Sequence, residues 1–150
     1  MDIKAAANCL VRKYHTRNPF YIAEGMNFVI IFAPLVEMRG FQQCVKKRRF
    51  IYINSDLDEQ QQILVCAHEL GHHILHRNMN RIFMDHNTGI VTQKYENEAN
   101  QFSVGLIYDD DELQPFLIYG IPSAANYMGV SYELAEYRMR EVVPEFINYD

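Results

Sequence analysis

From Ile63 to His76 the chain reads Ile-Leu-Val-Cys-Ala-His-Glu-Leu-Gly-His-His-Ile-Leu-His, and its apolar positions keep the period of an α-helix. On a helical wheel Ile63, Leu64, Ala67, Leu70, Gly71, Ile74 and Leu75 fall within an arc of about 140°, and His68, Glu69, His72 and His76 fill the adjoining arc of about 100°. The first arc has to be covered by another layer of structure. The second then lies along the margin between core and solvent. Any fold of this chain must therefore place a histidine-rich rim at the edge of its core.

The rim contains His68-Glu69-Leu70-Gly71-His72, a His-Glu-x-x-His pattern. Helical residues four apart are about 40° apart around the axis and about 6 Å apart along it, so His68 and His72 can offer imidazole nitrogens to one ion. Glu69, turned roughly 100° from His68, flanks that ion without ligating it and can take a proton from an attacking water. The donor set suits zinc.

A catalytic zinc ordinarily has three protein ligands and one open position, so one more must come from elsewhere. The best source is Tyr95-Glu96-Asn97-Glu98-Ala99-Asn100-Gln101-Phe102. In a helix from about Tyr95 to Ile107 the buried arc is Ala99, Phe102, Ser103, Leu106 and Ile107, with Glu96 and Asn100 at its edge and Glu98 about 160° from Glu96. Glu96 is the expected third ligand, Asn100 an outer partner of a ligand histidine, and Glu98 an exposed carboxylate. His76 drifts about 80° from His68 and is expected to end the helix or line the cleft. His73, about 140° away, is expected on the surface or behind a ligand, and Cys66, about 160° away, in the packing. His86 reads as a solvated loop residue.

The 150 residues, about half of them apolar or aromatic, fit one globular domain with a real core. Residues 2–15 read as an amphipathic helix, Pro19 to Gly25 as a short second one, and Asn27 to Phe32, Val36 to Val45 and Arg49 to Asn54 as strands. The fold expected is α+β, with a small, mostly antiparallel three-stranded sheet packed with helices. The long helix should start near Ser55 or Asp56 as cap. Residues 77–94 lack a clean period and read as a loop that can wall a cleft. Helix, Gly129 turn and helix, capped by Ser131, are expected over about 121–143.

Net charge of −5 offers no global attraction to nucleic acid or an anionic membrane. Lys46-Lys47-Arg48-Arg49 reads as a solvated hairpin turn and Asp109-Asp110-Asp111-Glu112 as a solvated loop. Cys9, Cys44 and Cys66 form no framework of disulfides, which suits the cytoplasm. The start of the chain does not read as a secretion signal, and Phe28 to Val36 is too short for a membrane span. A DNA-binding regulator is a rival suggested by the 121–143 segment, but Glu133, Glu136 and Glu141 beside Arg138 and Arg140 make a poor surface for phosphates. A second rival is a module that antagonises a repressor by contact alone, with zinc only structural.

His68-Glu69-Leu70-Gly71-His72-His73-Ile74-Leu75-His76 followed by Glu96-x-Glu98-Ala99-Asn100-x-Phe102 resembles the ImmA/IrrE family of metallopeptidases. Phe50-Ile51-Tyr52-Ile53-Asn54, Tyr14-x-Thr16-x-Asn18-Pro19, and Gly129-Val130-Ser131 with Arg138 share that likeness. The resemblance implies a compact zincin-like fold, zinc held by His68, His72 and Glu96, and Glu69 as base. It further implies cytoplasmic cleavage of helix-turn-helix repressors of mobile elements, phages or stress operons. The chain departs from the family after the Glu/Ala/Asn cluster, where it has Phe102-Ser103 and Ile107-Tyr108-Asp109-Asp110.

Overall fold

The computed structural model describes residues 2–76 and 89–144. They divide into two compact units, one running to Ile107 and the other starting at Tyr108. The expected loop over 77–94, up to residue 88, and with it His86, lies outside the described residues.

The first unit opens with helix α1 (Ile3–Tyr14), capped where Asp2 accepts a hydrogen bond from the Ala5 amide, and α2 (Pro19–Gly25). Asn18 accepts from the Phe20 amide at 2.9 Å, and Pro19, with no amide hydrogen to strand, fills the first turn of α2. Between the helices Arg17 donates to the carbonyls of Gly105 at 3.3 Å and Leu106 at 3.0 Å. It thereby ties this corner to the far end of the helix that carries Glu96.

Strands β1 (Phe28–Ala33), β2 (Gly40–Val45) and β3 (Arg48–Asn54) form a sheet in the order β1-β3-β2. The α+β class is as expected, but the sheet is mixed: β2 runs antiparallel to β3, whereas β1 runs parallel to it. The difference lies in residues 34–39. Pro34 cannot donate to a ladder, so β1 stops there and no β1–β2 hairpin forms. Asn54 then clamps the connection across the end of β3, its Nδ2 donating to Leu35 O at 2.7 Å and Met38 O at 3.1 Å. The segment from Val36 to Arg39 is thus a connection, and the strand expected from Val36 begins only at Gly40. Lys46 and Lys47 make the exposed two-residue turn from β2 into β3, both with positive φ (50° and 67°).

Helix α3 (Glu59–His76) follows. Its cap is Asp58, which accepts from the Gln61 amide at 2.8 Å, rather than Ser55 or Asp56. Those two residues belong instead to the turn leaving β3, where Asn54 Oδ1 accepts from the Asp56 amide. Helix α4 (Gly89–Ile107) starts six residues before the expected Tyr95. Ile22, Phe28, Ile51, Ile53, Ala67, Leu70, Phe102 and Leu106 are buried together between sheet and helices.

Two glycines set how closely these layers approach. A Cβ on Gly71 would sit 3.1 Å from Phe102 Cβ and 3.2 Å from Ala99 Cα, so α3 and α4 meet there nearly backbone to backbone. A Cβ on Gly40 would sit 2.5 Å from Val65 Cγ1 and 2.6 Å from Tyr52 O, which lets β2 begin directly against α3.

In the second unit Asp109 caps the short helix α5 (Asp110–Leu113) in a reciprocal box with Glu112. The acidic run is therefore structural: Asp110 accepts from the buried Arg138 at 2.7 Å. After α6 (Phe116–Tyr119) come α7 (Ile121–Met128) and α8 (Tyr132–Arg140), with Gly129 closing the first and Ser131 capping the second as expected. Among the described residues no helix is long and apolar enough to cross a membrane.

Candidate active site

One face of α3 and the opposing edge of α4 bring three ligand atoms together. His68 Nε2 lies 3.0 Å from Glu96 Oε2, His72 Nε2 lies 2.8 Å from Glu96 Oε1, and the two Nε2 atoms are 3.1 Å apart. Among the described residues His68, His72 and Glu96 form a group able to hold a metal ion. Around a tetrahedral zinc with bonds of about 2.0–2.1 Å, neighbouring ligand atoms are about 3.3 Å apart. The observed spacing needs to open by only a few tenths of an ångström.

The outer ring nitrogens favour the same reading. His68 Nδ1 is 2.7 Å from Asn100 Oδ1, which can only accept, so Nδ1 carries a proton and Nε2 is the nitrogen that can meet an ion once its own proton is shed. His72 Nδ1 is 3.1 Å from His76 Nδ1. The side chains of His68 and His72 are 19% and 12% exposed and that of Glu96 43%, so the group opens to solvent on the Glu96 side.

Electrostatics binds the three together. Burial pulls the His68 imidazole down, but its hydrogen bond to Glu96 and the charges of Glu69 and Glu96 outweigh it and raise its pKa above the ordinary 6.5. Hydrogen bonds from His68 and His72 in turn hold the Glu96 carboxyl well below the usual carboxylate range, against the effect of its burial. A carboxylate that stays ionised, with two imidazoles converging on it, has the chemistry to hold a cation.

Glu69 is buried beside this group. Gln42, from β2, donates through Nε2 to Glu69 Oε2 at 3.0 Å and to the Glu69 carbonyl at 2.8 Å. Sequence reasoning missed Gln42, because a strand glutamine has no spacing relation to a helix motif; only the approach of β2 to α3 at Gly40 pairs them.

Two other expectations, for His73 and Glu98, need correction, while His76 ends its helix and Cys66 joins the packing as expected. His73 is not at the surface: it is buried, Arg49 Nη1 lies 2.9 Å from its Nε2, and its ring meets Phe28 edge-on at 5.1 Å. Glu98 is not a fully exposed carboxylate; it is half-buried, with Oε2 3.6 Å from His76 Nε2. His76 is buried at the end of α3, against the Tyr95 ring. Burial, followed by the His72 charge, lowers its pKa, with Glu98 opposing. Cys66 is fully buried in the packing, and burial, then Glu69 and Glu24, pushes its thiol pKa far up. Tyr108 donates its hydroxyl to the Met128 carbonyl at 2.9 Å.

Comparison with known proteins gives these atoms a context. The chain is 42% identical over 109 residues to uncharacterized immunity region protein 2 of Bacillus phage phi105, covering 72% of this chain and 69% of that protein. It is 27% identical over 146 residues to metallopeptidase ImmA of Bacillus subtilis strain 168, covering 93% and 85%. In fold it resembles a Mycobacterium tuberculosis transcriptional regulator, with a TM-score of 0.62 at 14% identity over 92% of this chain, which spans 46% of that longer protein. Residues 23–140 match the family model Peptidase_M78, the IrrE N-terminal-like domain. The chain, whose α3 and α4 set His68, His72 and Glu96 around one point, belongs to the Peptidase_M78 family of metallopeptidases.

Proposed function

We propose that this protein is a zinc-dependent endopeptidase that cuts a helix-turn-helix transcriptional repressor of a phage, mobile element or stress operon. The observation that carries the reading is the convergence of His68, His72 and Glu96 beside the buried carboxylate of Glu69. Zinc, when bound, polarises a scissile carbonyl and lowers the pKa of a water toward 7. His68, His72 and Glu96 would hold the ion, and Asn100 keeps the Nδ1 proton of His68 in place so that Nε2 is the ligating nitrogen. Glu69 accepts the proton from the attacking water and passes it to the leaving amine. Gln42 keeps that carboxylate aimed.

The substrate class rests on kinship. Similarity to an immunity-region protein of a phage and to metallopeptidase ImmA supports a regulatory protein substrate. Strand β2 lies at an edge of the sheet and carries Gln42 to Glu69, so an extended peptide added along β2 would run past the ligand group. Direct reading of DNA by α8 is disfavoured, since Arg138 is buried against Asp110 and Arg140 pairs with Glu136.

The test is incubation of the zinc-loaded protein with a repressor encoded beside its own gene, followed by mass spectrometry. A discrete fragment that disappears on chelation and in Glu69→Gln is expected. Fragmentation that survives chelation counts against the mechanism. Relief of repression by Glu69→Gln equal to the wild type would turn the protein into a contact antagonist.

A further inference from the structure

His76 and Glu98 take no part in the chemistry above, yet they are placed as a continuation of the ligand group. His72 presents Nε2 to Glu96 and Nδ1 to His76, whose own Nδ1 lies 3.1 Å away. The other nitrogen of His76, Nε2, faces Glu98 Oε2 at 3.6 Å, and the imidazole side chain is only 4% exposed. The four groups form a chain: Glu96, His72, His76, Glu98.

The proton positions in this chain are dictated once the Nε2 lone pair of His72 is committed to an ion. The His72 proton must then be on Nδ1, and its partner 3.1 Å away must accept it. His76 Nδ1 is therefore unprotonated, and the single proton of neutral His76 sits on Nε2, toward the Glu98 carboxylate. The same geometry keeps His76 from ligating, because its Nδ1 is taken by His72 and its Nε2 is turned toward Glu98. Tyr95, against the His76 ring with centroids 4.6 Å apart, holds the imidazole in this orientation.

We infer that His76, whose Nε2 faces Glu98 across 3.6 Å without a hydrogen bond, is a positioning residue that fixes His72 as an Nε2 ligand, doing for His72 what Asn100 does for His68. The inference rests on the reading of His68, His72 and Glu96 as metal ligands. Outer partners of ligand histidines typically contribute about 10–100-fold in metal affinity.

The experiment is a zinc titration of the full chain against a competing chelator for wild type, His76→Phe, His76→Gln and Glu98→Ala, with metal-free thermal unfolding as a check on folding. His76→Phe should weaken zinc binding by about 10–100-fold. His76→Gln, whose amide oxygen can accept the Nδ1 proton, should recover most of that loss. Glu98→Ala should weaken binding by a smaller factor. By NMR, the His72 Nδ1 proton of the zinc-loaded protein should be slowly exchanging in wild type and His76→Gln but not in His76→Phe. Wild-type affinity in both His76→Phe and Glu98→Ala would overturn the inference while leaving the zinc site standing. Should His76→Phe fail to fold, the Glu98→Ala and His76→Gln affinities decide the matter alone. No zinc uptake by the wild type would instead overturn the metal reading, and this inference with it.

Discussion

Gln42 reaches from β2 to Glu69 on α3 and donates one amide nitrogen to both its side-chain Oε2, at 3.0 Å, and its carbonyl, at 2.8 Å. The pair joins the sheet edge to the carboxylate proposed as base. Replacing Gln42 by Leu removes one donor from a buried carboxylate, a loss of about 1.5 kcal/mol or roughly tenfold in rate. Cleavage should slow by that order with zinc content unchanged, measured as fragment release and metal per chain. A Gln42→Leu variant as fast as the wild type would show that Glu69 is positioned by other groups.

Ligand and base should separate cleanly by substitution. Glu69→Gln keeps zinc and loses cleavage, whereas His68→Ala and Glu96→Ala lose the metal. Elemental analysis of the purified variants checks this, and full zinc occupancy in Glu96→Ala would remove Glu96 from the ligand set.

Gly71 has no ligand role, yet the site depends on it. Valine at this position would press into Phe102 and the Ala99 backbone, at contacts of 3.1 and 3.2 Å already for a Cβ. Overpacking of this kind costs about 1–3 kcal/mol, and the relief available is to move α4, and Glu96 with it, away from α3. Gly71→Val should lower the thermal midpoint and weaken zinc binding together. Unchanged zinc affinity in a folded Gly71→Val protein would refute the coupling.

A metal on the proposed ligand His68 would compete with protons for Nε2. Because Glu96 and Glu69 raise the His68 pKa above 6.5, zinc affinity should fall as the pH drops through that raised value. In the metal-free protein the raised His68 stabilises the fold fully below 6.5 and loses that contribution as pH rises through its folded pKa. Glu96, held low, contributes above 4.5 and is lost as pH falls through its folded pKa. His76, lowered by burial, works in the opposite sense to His68, contributing above 6.5. In Glu96→Gln the chief raising partner is gone, burial dominates, and the His68 midpoint measured by NMR should move down. A midpoint unmoved by that change would show that Glu96 does not govern His68.

The residues of local elements were legible because their signals are local. The periods of α1, α2 and α3, the cap Ser131 and the strand expected from Arg49 to Asn54 depend on neighbours a few positions away. The placing of Glu96 and Asn100 at the edge of a buried arc followed from the same period, and the fold brings both onto the α3 histidines. Where sequence reasoning went astray, the deciding contact was remote. The parallel pairing of β1 with β3 depends on Asn54 clamping the 34–39 connection, and Asp110 left the solvated class because Arg138 is buried against it.

The sequence by itself determined a helix with a histidine rim and a second helix able to supply a carboxylate, because helical periodicity dictates which side chains share a face. Only the tertiary structure decided that His73 turns to Arg49 and Phe28, that His76 meets Glu98, and that Gln42 holds Glu69. Those pairings rest on how closely α3 approaches α4 at Gly71 and β2 at Gly40, distances that backbone packing sets and no spacing along the chain encodes.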